Sequence, residues 1–110
     1  MDRKQIAIDF AKSLDYPEIE KVILFGSVAR GDDNKHSDID ILIITTNEED
    51  ESKINNDIYT KVFDILINKG ERISIKIRSN KYYNNYIHSS FLSNVEKEGI
   101  VIGWWSENFF

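Results

Sequence analysis

Gly26-Ser27 is followed ten residues later by Asp38-Ile39-Asp40, and each motif adjoins an apolar, β-rich run. Val22-Ile23-Leu24-Phe25 leads into the glycine, and Ile41-Leu42-Ile43-Ile44 follows the second aspartate. The pattern reads as strand, small-residue turn, polar loop, then a second strand that opens with two carboxylates. Side chains at i and i+2 of a strand project to the same side, so Asp38 and Asp40 converge while Ile39 and Ile41 point into a core. Two converging carboxylates repel unless a cation joins them. Mg²⁺ is the ordinary cation for such hard oxygen ligands and is commonly shared with a substrate phosphate.

Composition narrows the classes of function. A chain of 110 residues is one domain with one modest core. Its 41% hydrophobic content is too high for a disordered chain of net charge −5. That charge also lacks the basic footprint of a general nucleic-acid binder, so direct nucleic-acid binding is not expected. A nucleotide can still bind locally, with metal ions supplying positive charge. The absence of cysteine excludes disulfides and thiolate metal sites. His36 and His88 have no metal-motif spacing. No apolar stretch of about 18 residues suggests a membrane span, and the N-terminal residues lead into an amphipathic segment instead of a signal core. The expected location is the cytoplasm.

Periodicity supplies the elements. Ile6, Phe10 and Leu14 predict a helix over residues 3–14, closed before Pro17. Lys21 to Phe25 reads as a buried strand, Val28 to Gly31 as one helical turn, and Asp32 to Ser37 as a polar loop. Asp38 to Thr46 is the strongest strand. Ile54, Ile58, Val62, Ile65 and Leu66 predict a helix over 53–68, ended by Gly70. Arg72 to Arg78 alternates isoleucine with polar residues, as a half-buried strand does. Asn80 to Glu98 reads as a single or broken helix, and Ile100 to Ile102 as a short last strand. The domain spans 1–103, followed by an aromatic tail over 104–110 with Trp104, Trp105, Phe109 and Phe110. Such a tail either packs back on the sheet or docks on a partner or a second copy.

Chemistry attaches to few positions. Gly26 lets backbone approach a phosphate without a side chain in the way. Ser27 offers a hydroxyl and an N–H to a phosphate oxygen, or else simply caps a strand-to-helix turn. Arg30 reaches either a triphosphate or Asp32. His36 reads as a loop residue. Tyr82, Tyr83 and Tyr86 serve as core or rim, or as a surface on which a nucleobase stacks.

The stretch from Gly26 to Asp40 resembles the signature of polymerase-β-type nucleotidyltransferases, a glycine-serine pair followed by D-x-D. The short length, Phe91-Leu92 and the ending Val95-Glu96-Lys97-Glu98-Gly99-Ile100-Val101-Ile102 are similar to the minimal nucleotidyltransferase subfamily. The resemblance runs from Lys21 to Ile102. It implies an α+β fold: a small, mainly antiparallel or mixed sheet of three to four strands, with helices packed on one face. It implies transfer of a nucleoside monophosphate, AMP from ATP, to a hydroxyl acceptor, with two Mg²⁺ ions on Asp38 and Asp40 and phosphate contacts from Gly26, Ser27 and Arg30. It also implies a helical HEPN-type partner, with this chain as the antitoxin-like half of a two-protein system.

One departure from the family pattern matters. Active members of the family it resembles usually carry a third carboxylate on the next sheet strand, where this chain has Arg72-Ile73-Ser74-Ile75-Lys76-Ile77. Ser74 aligns with the missing acid, and Glu71 has the wrong parity unless a bulge re-aims it. Two readings stay open: an enzyme that works with two acids, or a catalytically weak subunit that acts by binding its helical partner.

Overall fold

The computed structural model describes residues 2–104, with backbone only at Trp104. Helix α1 (Arg3–Lys12) starts where the Asp2 carboxylate accepts hydrogen bonds from the Lys4 and Gln5 N–H groups, 3.0 and 3.3 Å away. Strand β1 (Ile19–Phe25) runs into the short helix α2 (Gly26–Arg30), which Gly31 closes in the left-handed region at φ 83°. Strand β2 (Ile39–Thr45) is followed by α3 (Asp50–Lys69), β3 (Ile73–Ser79), α4 (Asn80–Asn85), α5 (Ser90–Glu98) and β4 (Ile100–Trp104). The helix expected over residues 80–98 is broken in two. Ser79 and Ser89 each start a separate segment by accepting from the N–H three residues on, Tyr82 at 3.1 Å and Leu92 at 3.2 Å.

The sheet order is β3-β2-β1-β4. β1 pairs antiparallel with both β2 and β4, and β2 pairs parallel with β3. A parallel pair needs a crossover, which α3 provides. The expectation of a mixed sheet with up to four strands is met.

The helices, however, cover both faces of the sheet, which corrects the expected one-sided packing. Val22, Leu24, Ile39, Ile41, Ile43, Ile73 and Ile77 pack with Ile6, Phe10, Leu14, Ile54 and Ile58 of α1 and α3 and their flanks. Ile23, Leu42 and Ile44 pack on the opposite side with Tyr83, Leu92 and Val95 of α4 and α5. The reason is written in β2: Ile41, Leu42, Ile43 and Ile44 are apolar at both parities and fully buried, and such a strand needs cover on both sides. Asp40 is half-buried on the face shared with Leu42 and Ile44.

β4 carries the chain past Ile102, and the Trp104 backbone pairs with Lys21. The first residue assigned to the aromatic tail therefore belongs to the sheet. Trp105, Phe109 and Phe110 lie outside the described residues. Among the described residues no helix is long and apolar enough to cross a membrane.

Candidate active site

The register of the sheet brings the site together. Asp40, the second residue of β2, pairs with Phe25 on one side and Ser74 on the other. Phe25 is the last residue of β1, so Gly26 turns the chain beside Asp40. Gly26 has φ +76°, a conformation that L side chains rarely adopt. A Cβ built on it would lie 2.2 Å from Asp40 Oδ2 and 3.1 Å from its Cγ. The Asp40 carboxylate is thus seated directly against the bare α-carbon of Gly26. Phe25, the strand partner of Asp40, meets Phe91 edge to face at 5.3 Å, an apolar neighbour that the spacing of the motif did not announce.

Gly26 and Ser27 open α2. No side chain caps this helix, whose N-cap position is held by Phe25. The first N–H groups of a helix have no intrahelical partner, so those near Gly26 and Ser27 face the same end of the sheet as Asp40. Ser27 is inside the helix and is not its N-cap. Arg30 directs its guanidinium to Asp32 (3.2 Å) and Glu98 (3.0 Å). Of the two partners weighed for Arg30, the structure shows Asp32 and adds Glu98, 68 residues away.

Asp38 immediately precedes β2, and its side chain is 38% exposed with Arg72 Nη1 3.9 Å away. The Asp40 carboxyl titrates above the usual aspartate range. Partial burial is the main cause and the neighbouring charge of Asp38 the second, against the opposing pull of Lys76 and Arg30. Asp38 and Asp40 therefore lie close enough to repel.

These residues fit a divalent cation only in part. The donors are hard carboxylate oxygens seated against a glycine, as a Mg²⁺ site with substrate phosphates requires. Among the described residues, however, no cluster of three His, Cys, Asp or Glu side chains forms. Ser74 sits beside Asp40 in the parallel ladder, at the position aligned with the missing acid. Glu71 does not replace it. Its carboxylate accepts from Arg3 Nε at 2.8 Å and is committed to α1.

Of the remaining candidates, His36 shares a cavity with Asp38, whereas the exposed tyrosines lie away from the chemistry. The His36 N–H donates to Asn34 Oδ1 at 2.8 Å within the loop, and His36 lines a cavity of about 240 Å³ with Asp38, Glu71 and Arg72. Tyr82 and Tyr86 stack at 4.6 Å beyond Ser79, which pairs with Thr45 at the far end of the sheet. Five residues separate Ser79 from Ser74, about 17 Å along a strand, so a base stacked there would be remote from Asp40. Tyr83 is core.

A strand-borne aspartate seated on a glycine turn, with a second aspartate just ahead of the strand, on a small mixed sheet, is the arrangement of the nucleotidyltransferase class of phosphoryl-transfer proteins. The family model described as "Polymerase beta, Nucleotidyltransferase" matches residues 8–103, and the chain belongs to that family; it is a nucleotidyltransferase. It is 42% identical over 84 residues to "Putative protein adenylyltransferase MJ0604" of Methanocaldococcus jannaschii, covering 76% of this chain and 78% of that protein. A second protein of the same organism and description, MJ0141, is 33% identical over 90 residues, covering 77% of this chain and 80% of its own length. A solved structure described as a "toxin-antitoxin with AMP-PNP" shares the fold at a TM-score of 0.60 and 15% identity, over 98% of this chain and 77% of that one. A "toxin-antitoxin MntA-HpeT mutant-D39ED41E" does so at 0.60 and 13% identity, with the same coverage.

Proposed function

We propose that this chain transfers AMP from ATP to a hydroxyl group on a partner protein, and that the transfer depends on Mg²⁺. The observation that carries the reading is the seating of Asp40 against Gly26, beside Asp38. It joins the Asp40 carboxylate to the glycine turn, with Asp38 two residues ahead of it, as a site for a metal-bound triphosphate needs. The names of the two relatives support a protein acceptor and adenylyl transfer.

In this reading Asp38 and Asp40 hold the metal, and Gly26 and Ser27 receive the triphosphate through N–H groups and the Ser27 hydroxyl. Arg30 contributes positive charge from the flank. Bound Mg²⁺ would neutralise charge on the attacking and leaving oxygens. The acceptor oxygen attacks the α-phosphorus in line, forming a new P–O bond. The bond to the β-phosphate oxygen breaks, pyrophosphate leaves with the electron pair, and the hydroxyl proton is released. In this reading the chain is the antitoxin-like half of a cytoplasmic two-protein system whose acceptor is a helical HEPN-type protein; the toxin-antitoxin descriptions of two fold neighbours support a protein partner.

Incubation with ATP labelled at the α-phosphate, Mg²⁺ and the protein encoded next door tests this. The partner should become labelled, and Asp38→Ala with Asp40→Ala should reduce labelling at least a hundredfold. No labelling by the unaltered chain, with tight partner binding that survives both substitutions, would instead establish the weak, binding-only subunit.

The uncharged Ser74 beside Asp40 favours that second reading and yields its own expectation. Ser74→Asp places a third carboxylate beside Asp40. The metal concentration for half-maximal transfer should fall several-fold, and the metal-free protein should melt at a lower temperature because like charges then adjoin. Titration of the transfer rate with Mg²⁺ and melting in EDTA measure both. An unchanged metal requirement would show that the site is complete with two acids.

A further inference from the structure

Arg3, the first residue of α1, is unusually committed for a cation at that place. A positive charge at a helix N-terminus opposes the helix dipole, and this side chain is only 14% exposed. Its guanidinium ties α1 to two segments distant in sequence. Nε donates to Glu71 Oε2 at 2.8 Å, just ahead of β3. Nη1 donates to Asp33 Oδ2 at 3.0 Å and also to the Asn34 carbonyl. Nη2 donates to the Lys35 carbonyl at 3.2 Å.

The contacts on the loop are the informative ones. Residues 32–37 lead directly into Asp38, and their other hydrogen bonds stay mostly within the loop. Ser37 N–H donates to the Asn34 carbonyl (3.0 Å), Asn34 N–H to Ser37 Oγ (3.0 Å), and His36 N–H to Asn34 Oδ1 (2.8 Å). Such bonds shape the loop without fixing its place on the domain. Its first residue is held by Asp32 N–H on the Ser27 carbonyl at 3.1 Å, and past its far end Ile39 N–H donates to the Arg72 carbonyl at 2.9 Å. Between those ends, the hydrogen bonds described to the rest of the fold come from Arg3, and Asp38 itself meets the exposed Arg72 guanidinium at 3.9 Å, a long and solvent-screened contact. The Arg3 guanidinium also holds Glu71, the neighbour of Arg72, so one planar fork fixes both the loop before Asp38 and the backbone that Ile39 leans on.

We infer that Arg3, with Glu71 as its counter-charge, is a positioning residue that sets the place of the Asp38 carboxylate relative to Asp40. The inference rests on the reading of Asp38 as a metal ligand. Asp40 needs no such help, because it lies inside β2 and is flanked by Phe25 and Ser74. Asp38 lies outside the ladder, and its place depends on what holds the loop. Lysine cannot reproduce the fork, since its single ammonium has no fixed planar geometry.

Hydrogen exchange followed by NMR, with transfer kinetics on the full chain, tests this in Arg3→Met, Arg3→Lys and Glu71→Gln. In Arg3→Met the amides of Asn34, His36, Ser37 and Ile39 should exchange at least tenfold faster, while those of Val22–Leu24 and Ile41–Ile43 keep their rates. The kcat for adenylyl transfer should fall at least tenfold with the KM for ATP unchanged within about threefold, since Gly26 and Ser27 are untouched. Glu71→Gln should move both readouts in the same direction, and Arg3→Lys should lie between Arg3→Met and the unaltered chain. If Arg3→Met does not fold, the other two variants decide. Loop amides that keep their protection, or a loosened loop with unchanged kcat, overturn the inference. So does a kcat loss that only follows the folded fraction. An unaltered chain that labels nothing would overturn the proposed adenylyl transfer, whereas the exchange data judge the clamp by themselves.

Discussion

Gly26→Ala is expected to reduce nucleotide transfer by at least a hundredfold and to destabilise the fold. Two independent effects meet at this residue. The backbone stands at φ +76°, where an L side chain costs about 1–2 kcal/mol. The new methyl would also lie 2.2 Å from Asp40 Oδ2, far inside van der Waals contact. Either the turn or the carboxylate must move, and both are parts of the proposed site. The comparison is Gly31→Ala, which also sits at positive φ but has nothing within 4 Å of a built Cβ. The two variants should lose similar stability from backbone strain, while Gly26→Ala loses more because of the clash. Only Gly26→Ala should lose transfer. Thermal melting and the labelling assay, run side by side, check this. Equal activity in the two variants would remove the carboxylate–glycine seat from the argument.

Asp40→Asn should separate stability from activity. Transfer should fall at least a hundredfold, because a neutral amide is a poor ligand for a hard cation. Stability should rise, and only over part of the pH range. In the folded protein the Asp40 carboxyl holds its proton to higher pH than in the unfolded chain, through partial burial and then the charge of Asp38. In the window between those two values the native state binds more protons than the unfolded one, so stability falls as pH rises. Below the unfolded value, roughly 3.9 for aspartate, the original carboxyl carries no charge penalty. Above the folded value the whole penalty is present. The Asp40→Asn variant escapes it and should melt higher at neutral pH in EDTA, with the gain disappearing in acid. Asp40 retains some contact with solvent, so the gain should be under about 1 kcal/mol, read as a small shift in Tm. A variant that melts lower than the original protein at neutral pH would show that the carboxylate is not under strain.

Most of the architecture was legible because hydrophobic period and breaker residues act locally. Gly70 ends α3 at positive φ as a C-cap glycine should, and the alternation of Ile73, Ile75 and Ile77 made β3. The boundaries moved where pairing overrides local pattern. β1 begins at Ile19, two residues before the apolar run alone suggested, because Ile19 pairs with Thr45. The one-sided packing failed for a visible reason, since Ile41 to Ile44 already carried apolar residues on both parities.

At the site, local chemistry was legible and long-range commitment was not. Arg30 turned to Glu98 and Glu71 turned to Arg3, each pair 68 residues apart. No spacing rule links such positions, because side-chain partners at that separation are chosen by how helices and strands dock.

By itself the sequence determined that Asp40 opens a strand, that Asp38 stands two residues before it and that a glycine ends the strand ahead, because strand periodicity and the stereochemistry of glycine are local properties of the chain. Tertiary structure alone decided that Asp40 rests on Gly26, that Arg30 turns to Glu98, and that Glu71 is spent on Arg3. These follow from the register of β2 against its two neighbours and from the docking of α1 and α5. Both are set by burial of the whole apolar surface on either side of the sheet.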